Sequence, residues 1–303
     1  MKKKVAVLRG GVSVEKEVSL SSARNLMTAM ADLDYETVAI DVTSDVEALV
    51  RDLKHHKPDV VLNILHGRQG EDGCIQGLLE VMEIPYTSSG VLGSALAMNK
   101  VAARNLCQAA GIRVPDGKVA TLKDVCAGKI MAPPYVIKPI GEGSSLGVHI
   151  IKDGTSPLPC PTEWTFNEQV LVEAYIPGRE VTVAVMDGRA LGSLEITSDE
   201  EFSTYEAKYT PGKAVHLVPA PLPPEIHAQL LEWAEKAHKA LHCRGISRSD
   251  FIYNDEKGEL YYLETNSQPG MTPTSFVPDI AAYHGISVAQ LAQWMIEDAS
   301  CQR

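Results

Sequence analysis

The chain has 303 residues, of which 45% are hydrophobic and 22% are charged, so it is long enough for two or three compact units and is not expected to be disordered. Its net charge of −11, with no Lys/Arg cluster beyond Lys2 to Lys4, argues against a nucleic-acid partner. The six cysteines form no CxxC pair, and no run of about 18 apolar residues occurs, which argues against a zinc finger and a membrane span and favours a cytosolic protein with reduced thiols.

The first third of the chain alternates predicted strands and helices, and its first residues lack the apolar segment of a secretion signal. Strands are predicted at residues 5–8, 37–42 and 59–65, with helices at 15–30 and 45–54 between them. This βαβαβ order predicts a parallel, doubly wound sheet, which places ligands at the carboxyl ends of its strands. Gly10-Gly11 and His66-Gly67 lie at two of those ends.

The rest of the chain is richer in predicted strands. These cover residues 135–138, 148–151, 169–173, 181–186, 191–196, 246–253 and 260–264. Helices are predicted over 99–110, from Pro223-Pro224 onward, and from Ser287, where Gln290 completes a capping box. The fold class is therefore α/β, with an α+β C-terminal part. The polar segment 198–213 shows little periodicity and is our prediction for a lid that closes over a site.

A loop of small residues follows a lysine that a predicted strand delivers. Lys138 is followed by Glu-Gly-Ser-Ser-Leu-Gly at 142–147. Glycines let the backbone approach a phosphate closely, and serine hydroxyls with N–H groups can bond its oxygens. The loop has neither the Gly-Lys-Ser/Thr ending of a Walker loop nor a helix-opening G-x-G-x-x-G. Taken alone, it is explained equally well by an ordinary β-hairpin turn.

Two glutamates seven residues apart, Glu173 and Glu180, bracket the turn Ile176-Pro177-Gly178. Their carboxylates could bond a ribose while backbone groups between them read an adenine edge. Without context, two solvated glutamates beside a turn are the simpler interpretation.

Three oxygen-bearing side chains are predicted to share one face of two neighbouring strands. They are Asp250, Glu264 and Asn266, the last two being joined by the strand period of two. Hard oxygen ligands of this kind suit Mg²⁺. The alternative is a polar pattern on a solvated face, but Asp250 interrupts an apolar strand, which favours a metal. The loop 268–275 follows directly and is expected to contact substrate rather than to be an ordinary surface loop.

Two residues of the first third are further candidates. Glu15 follows Gly10-Gly11 near a helix start, where a favourable partner for the helix dipole is the alternative interpretation. His66 is followed by three glycines within the seven residues 67–73. A lone histidine is more often structural, but its place at a strand end makes it a candidate for the site.

Eight segments together resemble the D-alanine-D-alanine ligases of the ATP-grasp superfamily. They are LRGGVSVEKEVSL (8–20), LHGRQGEDGCIQG (65–77), MNK (98–100), VIKPIGEGSSLGV (136–148), VEAYIPGREVTV (172–183), YEAKY (205–209), GISRSDF (245–251) and LETNSQPGMTPTS (263–275). The resemblance implies an N-terminal substrate domain at 1–97, followed by a two-lobed ATP-grasp fold with lobes at 98–180 and 181–303. Two positions depart from the family pattern, namely Ile140-Gly141 and Gln268.

The resemblance also implies an activity: ATP-dependent joining of two D-alanine molecules through a D-alanyl phosphate, in the cytoplasm, by a homodimer that supplies peptidoglycan precursors. The residues implied to bind ATP are Lys100, Lys138, Ser145, Glu173, Ile176 and Glu180. Those implied to bind two Mg²⁺ ions, or Mn²⁺, are Asp250, Glu264 and Asn266.

The remaining implied roles concern the amino-acid substrates. Glu15 would anchor the first D-alanine's ammonium and form a triad with Ser144 and Tyr209, with His66 nearby. Ser275 would hold the second D-alanine's carboxylate. Lys208 would neutralise the γ-phosphate. Arg248 and the Gly270 N–H would form an oxyanion hole.

Two other functions compete with this prediction. Another ATP-grasp ligase, making D-alanyl-D-lactate or joining L-amino acids, is disfavoured by Lys208-Tyr209 and Glu15. A non-catalytic nucleotide-binding protein on the same fold is disfavoured because every implied metal ligand and phosphate-binding lysine is present.

Overall fold

The computed structural model describes residues 2–159, 162–198 and 214–302. Its N-terminal sheet has three parallel strands in the order β2-β1-β3, which confirms the predicted doubly wound start. The strands are β1 (Lys3–Gly10), β2 (Tyr35–Val42) and β3 (Val60–Asn63). Every residue of β3 is buried, as is usual for a parallel strand covered on both faces.

Helices connect and flank these strands. They are α1 (Lys16–Ala29), α2 (Val46–His56), α3 (Cys74–Val81) and α4 (Val91–Met98). Asp45 caps α2, since its side chain accepts the Ala48 N–H at 2.9 Å. The sequence did not predict α3 or α4. In α4 the apolar residues surround the helix, so no amphipathic period marks it.

A second, antiparallel sheet lies in the middle of the chain, with strand order β4-β7-β5-β6. Its strands are β4 (Gly117–Thr121), β5 (Tyr135–Pro139), β6 (His149–Ile151) and β7 (Gln169–Ala174). Helix α6 (Leu122–Cys126) packs on it, and α5 (Lys100–Ala109) precedes it. The three strands predicted here are confirmed, whereas β4 was not predicted.

The third sheet is antiparallel, with order β10-β9-β8-β11-β12. Its strands are β8 (Arg179–Met186), β9 (Arg189–Ser198), β10 (Ala214–Leu217), β11 (Ile246–Asn254) and β12 (Glu259–Asn266). Helices α7 (Pro224–Ala240), α8 (Phe276–Tyr283) and α9 (Val288–Asp298) pack with it, and α9 begins at the predicted capping box of Ser287 and Gln290. Among the described residues, no helix is long and apolar enough to cross a bilayer.

One hydrophobic core joins the two ends of the chain. It contains Leu26 and Leu62 from the N-terminal unit together with Ile280 from α8 and Leu291 from α9. This shared core fixes the carboxyl edge of the parallel sheet beside the loop that follows β12. The loops carrying Glu15 and His66 are thereby held next to the segment carrying Gly270.

Shortening Leu62 tests this core. The side chain is fully buried, so Leu62→Ala is expected to lower the free energy of unfolding by about 2–5 kcal/mol. Urea unfolding measures the change. The matched control is Val81→Ala, at a valine that is 84% exposed, where the change should stay within about 0.5 kcal/mol. Equal effects at the two positions would contradict the assigned core.

Candidate functional site

A large cleft separates the middle sheet from the third sheet. Its volume is about 460 Å³. The predicted site residues that line it are Lys100, Lys138, Ser145, Glu173, Ile176, Glu180, Asp250 and Glu264. Residues predicted from separate motifs are therefore brought together along one continuous wall.

Lys138 and Glu173 form an ion pair inside this large cleft. Lys138 Nζ lies 2.8 Å from Glu173 Oε2, and the Glu173 side chain is only 3% exposed. The alternative interpretation, a solvated glutamate beside a turn, is therefore wrong for Glu173.

Arg104 adds a second cation beside Glu173, with its Nε 3.3 Å from Glu173 Oε1. That nitrogen makes no hydrogen bond, so the contact is an ion pair only. Sequence reasoning missed Arg104, because only tertiary packing brings α5 against β7.

The predicted hinge joins the middle sheet to the third sheet. Glu173 lies in β7, Glu180 lies in β8, and Ile176 lies between them on the cleft wall. Gly178 is required here because a Cβ at this position would lie 2.2 Å from the Tyr253 carbonyl oxygen. The hinge backbone therefore runs directly against β11.

Lys100 connects two walls of the large cleft. Its Nζ pairs with Glu264 Oε2 at 2.8 Å and donates a hydrogen bond to the Glu142 carbonyl at 2.7 Å. This lysine is the first residue of α5, which Asn99 caps. The small-residue loop after β5 is thus tied to β12 through one side chain.

The three predicted metal ligands lie on neighbouring strands, as the sequence predicted. Asp250 and Glu264 are direct partners in the pairing of β11 with β12, and Asn266 is two residues further along β12. Asp250 is 2% exposed, so the solvated-face alternative is wrong for it. Two carboxylates and an amide make a hard-oxygen set, which fits Mg²⁺. In the part of the chain that the structure describes, no cluster of three His, Cys, Asp or Glu side chains suits a metal. The predicted set of Asp250, Glu264 and Asn266 contains only two residues of these four types, because its third ligand is an amide.

Asp250 has several hydrogen-bond partners. Arg248 donates to it twice, from Nε at 2.9 Å and from Nη2 at 2.8 Å. Thr182 Oγ1 donates at 2.6 Å, and Asn266 Nδ2 approaches to 3.3 Å. The bidentate contact holds one edge of the Arg248 guanidinium.

A small pocket of about 30 Å³ adjoins the cleft. It lies where the loop before α1, the loops after β3 and β5, and the loop after β12 meet. The predicted residues that line it are Glu15, His66, Ser144, Ser145, Arg248, Glu264, Asn266 and Gly270. Ser275 lies behind Gly270, and its hydroxyl accepts the Thr272 N–H at 2.9 Å within the loop.

Glu15 and Ser144 are joined in the small pocket, where the Ser144 hydroxyl donates a hydrogen bond to Glu15 Oε1. Burial raises the pKa of Glu15, while the Ser144 hydrogen bond opposes that rise. Ser144 and Ser145 both have positive φ, at 50° and 57°, which is a strained conformation for serine. Gly67 permits the close approach, since a Cβ there would lie 2.7 Å from Glu15 Oε2. Lys208 and Tyr209 lie outside the described residues, as does the predicted lid at 198–213 except for Ser198, which ends β9.

Glu71 is a member of the small pocket that sequence reasoning missed. It is buried, and its Oε1 accepts the Gly67 N–H at 2.9 Å. Burial, reinforced by the nearby Glu15 carboxylate, raises the pKa of Glu71 to about 8. The neighbouring Asp72 is only a loop cap, accepting the Gln69 and Cys74 N–H groups. Nothing in the sequence distinguishes these two acids.

His66 is held neutral in the same pocket. Burial lowers the pKa of His66 to about 4, and its Nε2 has no hydrogen-bond partner among the described residues. A buried polar atom that lacks a partner in a pocket wall is available to hydrogen-bond a ligand. A purely structural role for His66 therefore does not explain why its buried Nε2 has no partner among the described residues.

Gln268, where the sequence departs from the family pattern, holds the loop after β12 in place. Its amide donates to the Leu65 carbonyl and accepts a hydrogen bond from Asn63 Nδ2 at 2.9 Å. The loop after β12 is thereby fastened to the carboxyl end of β3.

Known proteins resemble this chain along nearly its whole length. A family model described as "D-ala D-ala ligase C-terminus" matches residues 106–297, and one described as "D-ala D-ala ligase N-terminus" matches 46–89. The D-alanine–D-alanine ligase of Paramagnetospirillum magneticum is 50% identical over 99% of this chain and all of that protein. That of Methylobacterium radiotolerans is 48% identical over the full length of both.

Solved structures give the same result. The D-alanine–D-alanine ligase from Bacillus anthracis, complexed with ATP, has a TM-score of 0.83 and 30% identity, over 98% of this chain and 97% of that one. The VanG D-Ala:D-Ser ligase from Enterococcus faecalis has a TM-score of 0.78 and 28% identity, over 98% and 99%.

The raised pKa of Glu71 predicts a pH-dependent stability. The folded-state pKa is about 8, against 4.5 for an ordinary glutamate. Between these values the unfolded chain ionises and the folded protein does not, so the free energy of unfolding falls as pH rises through this window. Glu71→Gln removes that cost and should gain stability over the natural protein between about pH 5 and about pH 8.

Urea unfolding at several pH values measures the effect. Glu17→Gln, at an exposed glutamate of α1, is the matched control and should show no such trend. A constant difference between Glu71→Gln and the natural protein across this range would refute the shift.

Proposed function

Because the chain belongs to the D-alanine–D-alanine ligase family, we propose that its two adjoining pockets divide that family's reaction. ATP binds in the large cleft and the amino-acid substrates bind in the small pocket. The reaction is the ATP-dependent joining of two D-alanine molecules through a D-alanyl phosphate. It releases ADP and phosphate and supplies peptidoglycan precursors.

The chemistry explains why two pockets must adjoin. A carboxylate does not react with an amine at neutral pH, because its oxygen is a poor leaving group. Transfer of the γ-phosphoryl group of ATP to the first D-alanine converts that oxygen into a phosphate, which leaves readily. The protein must neutralise phosphate charge and position the reactants in line.

For ATP, we assign the phosphates to Lys100, Lys138 and Ser145, and the nucleoside to Glu173, Ile176 and Glu180. The support is their shared position on the wall of the large cleft. Each lysine is already paired with a carboxylate, Lys138 with Glu173 and Lys100 with Glu264. Phosphate would therefore replace one anionic partner by another, so the lysines stay charged and oriented before ATP arrives.

For metal, we assign two Mg²⁺ ions, or Mn²⁺, to Asp250, Glu264 and Asn266. Bound there, the ions would supply positive charge against the phosphates. The hard-oxygen character of the set supports the assignment. Arg248 and Lys100, which now pair with these carboxylates, would then share them with the metal.

For the first D-alanine, we assign its ammonium to Glu15, with Ser144 and Tyr209 completing the triad. His66 lies beside this substrate. Burial disfavours the charged form of Glu15, so an incoming ammonium group would be a favourable partner. Ser275 is assigned to the second D-alanine's carboxylate, for which its hydroxyl would have to exchange its Thr272 contact.

In the second step the amine of the second D-alanine attacks the acylphosphate and creates an oxyanion. We assign its stabilisation to Arg248 and the Gly270 N–H, both on the wall of the small pocket. A donor fixed in advance stabilises developing charge without reorganising. Asp250 fixes the Arg248 guanidinium in this way. Water must be excluded, since it would hydrolyse the intermediate. The lid of 198–213, with Lys208 on the γ-phosphate, is proposed on sequence grounds, as are the homodimer and the cytoplasmic location.

The product identifies the reaction directly. With ATP, Mg²⁺ and D-alanine, the protein should release phosphate and form D-alanyl-D-alanine, identified by mass. D-lactate, D-serine or L-alanine as the second substrate should give much less product. ATP hydrolysis that does not rise with D-alanine would favour the non-catalytic alternative, and a predominant D-lactate product would favour the other ligase class.

Arg248→Ala tests the oxyanion assignment. Loss of one such donor should lower kcat by about a hundredfold to a thousandfold, with a much smaller change in the KM for ATP. Steady-state kinetics at saturating D-alanine separate the two. The matched control is Arg244→Ala, at an exposed arginine before β11, which should retain activity. Equal losses in kcat and ATP affinity would contradict the assignment.

A further inference from the structure

An aromatic ring lies beneath the guanidinium of Arg248. The Arg248 Cζ is 5.1 Å from the centroid of the Phe276 ring. Phe276 is 5% exposed and lines the mostly polar small pocket. The bidentate contact to Asp250 holds one edge of the guanidinium, but a group held along one edge can still tilt about it. The ring face opposes that tilt and attracts the cation.

The Phe276 ring is itself fixed from behind. The ring of His216 packs against it edge to face, with centroids 5.0 Å apart and planes at 86°. His216 Nδ1 lies 2.6 Å from Asp279 Oδ2. Asp279 and Phe276 are three residues apart on α8, so they share one helix face. One helical turn thus carries both the ring and the carboxylate that orients the ring's neighbour.

This arrangement also connects the third sheet to α8. His216 lies in β10, paired with Ile196 of β9. Asp279 lies in the first turn of α8, where a carboxylate is favourable even without a partner. The contact to His216 is therefore additional to what the helix start requires. Its visible consequence is to hold β10 and the Phe276 ring together.

We propose that Phe276, held by the His216–Asp279 pair, is a positioning residue for Arg248 in the second step of the reaction. The inference rests on the proposed oxyanion role of Arg248. It predicts a specific defect: phosphoryl transfer continues while amine attack slows, so the D-alanyl phosphate survives longer. Water then attacks its carbonyl carbon and releases phosphate and D-alanine. The ratio of phosphate to dipeptide rises above one.

Phe276→Leu, which keeps an apolar side chain but removes the ring, should lower kcat by about three- to thirtyfold. The KM for ATP should change little, and the phosphate-to-dipeptide ratio should rise. Phe276→Tyr, which keeps the ring face, should restore kcat and the ratio towards natural values. Loss of packing alone would lower the stability of Phe276→Leu without raising the phosphate-to-dipeptide ratio.

His216→Gln is the second variant and leaves both Arg248 and the pocket wall intact. It should raise the ratio in the same direction by a smaller factor. Tyr283→Leu removes an aromatic ring that is 57% exposed at the end of the same helix. It is the matched control and should leave both kcat and the ratio unchanged. Thermal unfolding of each variant confirms that it is folded.

The outcomes separate this inference from the proposed role of Arg248. If Arg248→Ala impairs turnover while folded Phe276→Leu and His216→Gln keep the natural kcat and ratio, only the positioning role is overturned. If Arg248→Ala itself spares turnover, both are overturned. In an Arg248→Lys background, the effect of Phe276→Leu should largely disappear, because the two residues act as one unit. Full additivity of the two changes would also overturn the inference.

Discussion

The ion pair between Arg248 and Asp250 is the interaction on which the site depends. A carboxylate that is 2% exposed is costly to bury unless it is paired and hydrogen-bonded. Asp250 meets this demand with Arg248, Thr182 and Asn266. Because Asp250 faces the large cleft and Arg248 faces the small pocket, the same pair joins the phosphate side of the reaction to the acyl side.

Charge is arranged differently in the two pockets. In the large cleft the lysines are paired with carboxylates, so the cations that an anionic nucleotide needs are already in place. In the small pocket, among the described residues, no ion pair holds Glu15 or Glu71, and burial raises the pKa of both. For Glu15, this environment agrees with its proposed role as the partner of an ammonium group. A net charge of −11 is thus compatible with binding ATP, since local pairing decides what each pocket accepts.

The sequence predicted those features that repeat along a strand or recur in a motif. Alternating strands and helices predicted the parallel N-terminal sheet, two strands joined by a short turn placed Glu264 beside Asp250, and the strand period of two placed Asn266 on the face of Glu264. Contacts that depend on tertiary packing were missed. Glu71 and Asp72 are adjacent acidic residues, but the fold buries Glu71 in the small pocket while Asp72 only caps a loop. Arg104 of α5 meets Glu173 of β7 only in the folded protein, and no local pattern records that contact.

A β-bulge marks the limit of the period-of-two argument. Between β11 and β12 the register shifts after Asp250, so that Phe251 pairs with Tyr262 rather than with Leu263. Strict alternation would place Tyr262 on the cleft face with Glu264, yet Tyr262 is buried in the core. The extra residue turns Leu263 towards the large cleft beside Glu264. An apolar surface and the carboxylate proposed to bind metal therefore lie side by side on one strand, which suits a ligand that carries both a flat base and charged phosphates.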